Sequence, residues 1–206
     1  QQPDYVAEIS DSYRFIGNKG DGGHNIENAL ATVRAVKECG ADAIKIQTYT
    51  ADTITLNCNN EYFQIKQGTI WDGTTLYQLY QEAYTPWEWH AAIQAEAEKL
   101  GLVFFSTPFD FSAVDFLENL HVPLYKIASF EITDIPLIEY TASKGKPMII
   151  STGMADQTEI AEAVAAARDG GCKQLALLHC VSGYPAPAQD YNLRTIVDMQ
   201  RRFAVP

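Results

Sequence analysis

Six short apolar runs rich in β-branched residues, each followed by a helical stretch, narrow the fold of this chain more than any other feature. The runs are Tyr5–Ile9, Ala43–Ile46, Leu102–Phe105, Leu124–Ile127, Met148–Ile150 and Leu175–Leu178. They show no polar alternation, as expected of strands buried on both faces in a parallel sheet. Apolar spacing and capping residues predict helices over Asn25–Cys39, Pro86–Leu100, Ser112–Leu120, Asp134–Ser143, Gln157–Arg168 and Asn192–Phe203. Gly40, Gly101, Gly145 and Gly170-Gly171 read as helix stops, Thr85-Pro86 as an N-cap followed by an N1 proline, and Asp110 as the cap of the Ser112–Leu120 helix.

Strand–helix alternation fits both a doubly wound sheet and a barrel, and the polar residues discriminate between them. Lys45 and Gln47, Ser106 and Thr107, Lys126 and Ser129, Ser151 and Thr152, and His179 fall at or just past the ends of successive strands. Active sites of (β/α)8 barrels occupy that rim. Neither G-x-G-x-x-G after the first strand nor G-x-x-x-x-G-K-[ST] occurs, which removes the main nucleotide-binding signatures of an open sheet. The expected fold class is α/β, a TIM (β/α)8 barrel of which about six β/α units are present. Residues 1–206 are expected to be the N-terminal part of that barrel, since the chain opens without Met and stops at Phe203-Ala204-Val205-Pro206 as another strand approaches. The stretch Thr48–Tyr84 exceeds a simple loop. Its aromatics Tyr49, Tyr62, Phe63, Trp71, Tyr77, Tyr80 and Tyr84 form either a wall over a substrate or a packed excursion.

A formal charge of −11 means that the surface as a whole repels nucleic acid and anionic membranes, so neither is expected as a partner. An anionic ligand must be held locally, by lysines, hydroxyls and backbone N–H groups. Cys39, Cys58, Cys172 and Cys180 form no C-x-x-C pair, and 47% hydrophobic composition supplies a core without disulfides; a reducing cytoplasm fits. No run approaches the roughly 18 apolar residues of a membrane span, and Gln1-Gln2-Pro3-Asp4 does not open a signal peptide.

Lys45 and Lys126 interrupt strands that are otherwise apolar, where an unpaired ammonium is costly. Together they suggest an anion clamp; the structural alternative pairs each with an acid or turns it onto the helix layer. Ser106-Thr107, Ser129 and Ser151-Thr152-Gly153 add hydroxyls and free N–H groups suited to phosphate or carboxylate oxygens, although each alone is usually an N-cap. Glu131 is the candidate acid–base residue, with Glu8 a second that also suits a structural pairing with Lys45. His179 ends the sixth strand, as a rim ligand or a satisfied polar residue. It makes no metal site alone, and His90 and His121 have ordinary structural explanations.

The segments VAEIS (6–10), GADAIKIQTYT (40–50), FFSTPFD (104–110), YKIASFEITD (125–134), STGMA (151–155) and LLHCVSGYPAP (177–187) resemble the sialic acid synthase family. The stretch from 54 to 90, ITLNCNN through TPWEWH, is similar to its pseudaminic acid synthase branch. The resemblance implies condensation of phosphoenolpyruvate with 2,4-diacetamido-2,4,6-trideoxy-altrose and water, giving pseudaminate and phosphate; an N-acetylneuraminate or legionaminate synthase using an N-acetylmannosamine-type sugar is the alternative. It places Lys45, Thr107, Lys126, Ser129 and Ser151 around phosphoenolpyruvate, and Glu8, Glu131, Ser182 and Tyr184 near the reacting carbons or the sugar. It further implies a divalent metal, Mn²⁺ or Mg²⁺, in the full-length enzyme, with metal-binding histidines beyond residue 206. A C-terminal antifreeze-like domain, a homodimer and a bacterial or archaeal cytoplasmic setting belong to the same expectation, as does inactivity of this piece alone. The loop from Asp11 to Asn25 departs from the family's Asn-His-x-Gly element and keeps only His24-Asn25 of it. Two rival readings are a Schiff-base aldolase acting through Lys126 and a non-catalytic binding module derived from the barrel.

Overall fold

All six apolar runs form strands: β1 (Val6–Glu8), β2 (Ala43–Thr48), β3 (Val103–Pro108), β4 (Tyr125–Ile127), β5 (Met148–Ser151) and β6 (Leu175–Leu178). The computed structural model describes residues 6–8, 25–66, 72–183 and 186–206. Strand order follows chain order, and the β1–β2, β3–β4, β4–β5 and β5–β6 pairings are parallel. A doubly wound sheet reverses its order at a switch point, so this order favours the barrel arrangement. The chain divides into two compact units, Gln1–Phe105 and Ser106–Pro206, with the boundary inside β3.

In the first unit, β1 and β2 pair Val6 with Ala43, Ala7 with Ile44 and Glu8 with Lys45, and the Val103 N–H donates to the Asp42 carbonyl at 3.0 Å. Helix α1 (Ile26–Glu38) starts where the Asn25 side chain accepts the Glu27 N–H, and it buries Ala29 and Val33. Small buried residues on α1 and on α4 (His90–Lys99), where Ile93 and Ala97 lie at 1% and 0% exposure, let the two helices pack closely. An exposed Arg34–Glu96 ion pair at 2.6 Å ties their outer faces.

The long insertion contains α2 (Ala51–Ile54), a 3-10 turn at Glu61–Phe63, an antiparallel bridge between Gln64 and Thr75, and α3 (Leu76–Ala83). Ile65, Leu76, Leu79 and Ala83 form its own apolar cluster. Tyr49 is buried and meets Tyr80 edge-on at 5.6 Å, and Tyr77 donates its hydroxyl proton to Asp52 at 2.7 Å, so these aromatics serve the packed excursion. Tyr62 remains 80% exposed and packs into no core.

Helix α4 departs from its expected start. A 3-10 turn, Trp87–Trp89, precedes it, and Pro86 occupies the N-cap position of that turn without a side-chain cap. The Trp87 indole N–H donates to the Tyr49 carbonyl at 3.1 Å, and the His90 ring engages the Pro86 carbonyl through Nδ1 at 3.3 Å. These tethers tighten the first turn, and Thr85 is buried just ahead of it. His90 Nε2 lies 2.8 Å from Thr48 Oγ1. With Nδ1–H donating to Pro86, Nε2 accepts from Thr48, and burial pushes the imidazole pKa down to about 4.

In the second unit, Asp110 caps α5 (Phe111–Asn119) by accepting the Ser112 and Ala113 N–H groups. Asp134 caps α6 (Ile135–Ala142), and Asp156 forms a capping box with Glu159 at the start of α7 (Gln157–Asp169). α8 (Arg194–Phe203) follows a 3-10 turn at Ala188–Asp190. α6 is followed by Gly145 and α7 by Gly171, at φ of 70° and 105°, where a side chain would be strained. The four cysteines are free thiols.

Candidate active site

Strand pleating explains how the second unit assembles a polar face. Residues in register on parallel strands share a face, and successive residues alternate. Tyr125, Met148 and Ile150 point to the helix layer, because the Tyr125 hydroxyl donates to Glu118 Oε2 on α5 at 2.7 Å. Lys126, in register with Ile149, therefore faces the opposite way, together with Ser151 one pleat further on. Ser106 aligns with Tyr125, so its neighbour Thr107 joins Lys126 and Ser151 on that second face. Ile149 and Ala176 are only partly buried, whereas Met148 and Ile150 are closed off by helices. Lys126 is thus on the sheet face away from the helices, and it is 7% exposed.

Three buried side-chain oxygens among the described residues have no hydrogen-bond partner: Thr107 Oγ1, Glu131 Oε2 and Ser151 Oγ. All three lie in this unit, two on the face just described and one on the 3-10 turn Ser129–Thr133 that follows β4. Orphaned buried oxygens cost about 1–3 kcal/mol each, so three in one unit are positions that a water or a polar ligand would satisfy. Burial pushes the Glu131 carboxyl up to about 7, with the Asp134 charge adding to the effect while its own N–H and the Lys126 charge oppose it. It is therefore half protonated near neutrality, the condition for general acid–base work.

Past the strand ends, two predicted serines converge on a glycine. The Gly153 N–H donates to Ser129 Oγ at 3.3 Å. A Cβ placed on Gly153 would lie 2.6 Å from Ser182 Oγ, 3.0 Å from Cys180 Cβ and 3.1 Å from Ser129 Oγ. The expectation of free N–H groups at Ser151-Thr152-Gly153 is corrected at two positions. Gly153 is committed to Ser129, and Thr152 spends both its N–H and its hydroxyl on the Leu178 carbonyl, each at 3.0 Å. The Ser151 hydroxyl is what remains for a ligand. Gly153 is the site residue that sequence reasoning missed in this role; its signal was the third position of STGMA, read as an N–H donor rather than as an absent side chain.

His179 follows the satisfied reading at one nitrogen: Nε2 donates to the Tyr191 carbonyl at 2.7 Å. It borders an apolar cleft of about 430 Å³ lined also by Val181, Tyr191, Leu193 and Ile196. In the first unit, Lys45 is 1% exposed in the middle of β2 and shares a face with half-buried Gln47; Glu8 is its register partner. Tyr184 and the loop residues 11–24 lie outside the described residues. Among the described residues, no three His, Cys, Asp or Glu side chains are grouped to hold a metal ion, and the histidines expected to bind Mn²⁺ or Mg²⁺ lie beyond residue 206.

Comparison with known proteins places this geometry in context. The chain is 43% identical over its whole length to a pseudaminic acid synthase of Helicobacter pylori, covering 57% of that protein. It is 38% identical to an N,N'-diacetyllegionaminic acid synthase of Legionella pneumophila over 89% of the chain and 53% of the relative. Among solved structures, the N-acetylneuraminic acid synthetase of Leptospira borgpetersenii, in complex with citrate, superposes with a TM-score of 0.80 at 26% identity, covering 98% of this chain and 62% of that one. The fold is accordingly α/β of the TIM-barrel class, with six of its strand–helix units described. The chain spans about half the length of the curated relatives it matches. The pattern of the NeuB family matches residues 32–206, most of the chain, and the chain belongs to the NeuB family.

Proposed function

We propose that this chain carries the phosphoenolpyruvate-binding part of a nonulosonic acid synthase, of the pseudaminic acid type. The observation that carries the reading is the set of three buried oxygens without partners, Thr107 Oγ1, Ser151 Oγ and Glu131 Oε2, in one unit with buried Lys126. Hydroxyl donors and an ammonium suit the phosphate and carboxylate of phosphoenolpyruvate. The pseudaminic and legionaminic acid synthases among its relatives support the reaction class.

In the proposed reaction, C3 of phosphoenolpyruvate attacks the open-chain aldehyde of the sugar. The aldehyde oxygen takes a proton from Glu131, water adds at C2, and phosphate leaves. Lys126 offsets the negative charge throughout, and Thr107, Ser129 and Ser151 orient the phosphate and carboxylate. The Glu131 carboxylate left by the first step accepts the proton of the incoming water, which restores the starting state. Lys45, Ser182 and Tyr184 are assigned to substrate by the family resemblance, Gln47 and His179 by their places at strand ends, and Glu8 is a second candidate for the proton transfers. No step is given to a metal; Mn²⁺ or Mg²⁺ bound by histidines beyond residue 206, a homodimer and a cytoplasmic setting are carried over from the family resemblance. Among the described residues, no helix is long and apolar enough to cross a membrane.

The test is phosphate release by the full-length protein with phosphoenolpyruvate and Mn²⁺, supplying the altrose-type sugar and N-acetylmannosamine separately. Release with the altrose sugar alone is expected. Release with N-acetylmannosamine alone moves the assignment to the sialic acid branch, and release with neither, nor with a legionaminate precursor, overturns the synthase reading.

A further inference from the structure

The serine pair at the strand ends is organised around an absent side chain. Gly153 follows β5 without a left-handed backbone angle, so its glycine is not demanded by backbone conformation. Its surroundings are crowded: a Cβ there would lie 2.6 Å from Ser182 Oγ, 3.0 Å from Cys180 Cβ and 3.1 Å from Ser129 Oγ, so the two hydroxyls would have to swing aside. The amide of Gly153 is held in place by its neighbour, because Thr152 is pinned to the Leu178 carbonyl through both N–H and hydroxyl. From that fixed position the Gly153 N–H donates to Ser129 Oγ. A hydroxyl whose lone pair is engaged by a fixed donor directs its own proton elsewhere.

We infer that Gly153 is a positioning residue for the anionic substrate. Its N–H sets the Ser129 hydroxyl as a donor toward the ligand, and its missing side chain lets Ser129 and Ser182 flank one point. The inference rests on the phosphoenolpyruvate reading above and deepens it, since neither the motif nor the orphaned oxygens assign Gly153 a task. It acts through Ser129 and does not itself take part in the chemistry.

A double-mutant cycle with phosphoenolpyruvate affinity as readout tests it, measured by calorimetric titration of the full-length protein, with circular dichroism and the urea midpoint reporting the fold. Gly153→Ala and Ser129→Ala are each expected to weaken binding about tenfold, as for loss of one hydrogen bond to a charged group. The double variant is expected to be no weaker than either single one, because the alanine Cβ, 3.1 Å from Ser129 Oγ, displaces the same hydroxyl that Ser129→Ala removes. Separate losses that multiply to about a hundredfold would indicate a merely structural role and overturn the inference, as would wild-type affinity in a folded Gly153→Ala protein. Should Gly153→Ala fail to fold, Gly153→Ala/Ser182→Ala lacks the 2.6 Å clash. It is then expected to bind more weakly than Ser182→Ala alone, and equal binding overturns the inference. Failure of the wild-type protein to bind phosphoenolpyruvate would overturn the functional reading and this inference with it.

Discussion

A single carboxyl carries the acid–base chemistry proposed for this chain. Glu131 is raised to about 7 chiefly by burial, so its folded pKa exceeds its ordinary value of 4.5. The neutral form is the one the fold favours: its contribution to stability is complete below about pH 4.5 and is lost as pH rises through 7. Glu131→Gln keeps a neutral side chain at every pH. Urea unfolding at pH 5 and pH 8 is expected to show wild-type stability falling by up to about 3 kcal/mol more than that of the variant. The same variant is expected to lose at least about a hundredfold in phosphate release and the pH limb near 7 in kcat/KM, and unchanged release would remove Glu131 from the mechanism. Lys126 and Glu131 were legible in sequence because charge in an apolar strand or just past its end is conspicuous. Gly153 was not, since its proposed task rests on a backbone N–H and an absent side chain, and the two hydroxyls beside it come from distant segments.

Elements were legible where local chemistry decides them. Asp110, Asp134 and Asp156 cap their helices as their side chains dictate, and the glycines after the helices stop them. The start of α4 was misread because two tethers from distant residues, Trp87 to Tyr49 and His90 to Thr48, outweigh the local signal of Thr85-Pro86. Strand ends were underestimated for a related reason: Gln47 and Thr107 are polar yet stay in β2 and β3, held by pairing rather than by hydrophobicity. His90 joins the α4 start to β2 as a neutral ring whose pKa burial lowers from 6.5 to about 4. Its contribution is present above about pH 6.5 and lost as pH falls toward 4, because the unfolded chain takes up the proton first. His90→Phe is expected to cost about 1–3 kcal/mol at pH 7.5 through its lost hydrogen bonds, yet to reduce the decline between pH 6.5 and 4.5. Denaturation curves at the two pH values check this, and an unaltered acid slope would show that another group is responsible.

At the scale of the molecule, the order of strands and the polarity of their ends were readable because a parallel sheet buried on both faces leaves few apolar runs to confuse. The interior of the long insertion was not, since its cluster joins Leu76, Leu79 and Ala83 on one face of α3 to Ile65, a residue distant from that helix in sequence. Stability and binding meet in the three unpartnered oxygens. Thr107→Val removes one of them with little change of shape, so the unliganded protein is expected to gain about 1 kcal/mol in urea unfolding while losing about tenfold in phosphoenolpyruvate affinity. Loss of stability in that variant would mean that Thr107 already has a partner. Ligand-free thermostability and substrate capture are then opposed at the same atoms. Variants selected for heat resistance alone would drift toward apolar replacements at Thr107 and Ser151, and a library ranked by melting temperature would discard the site while every member still folds.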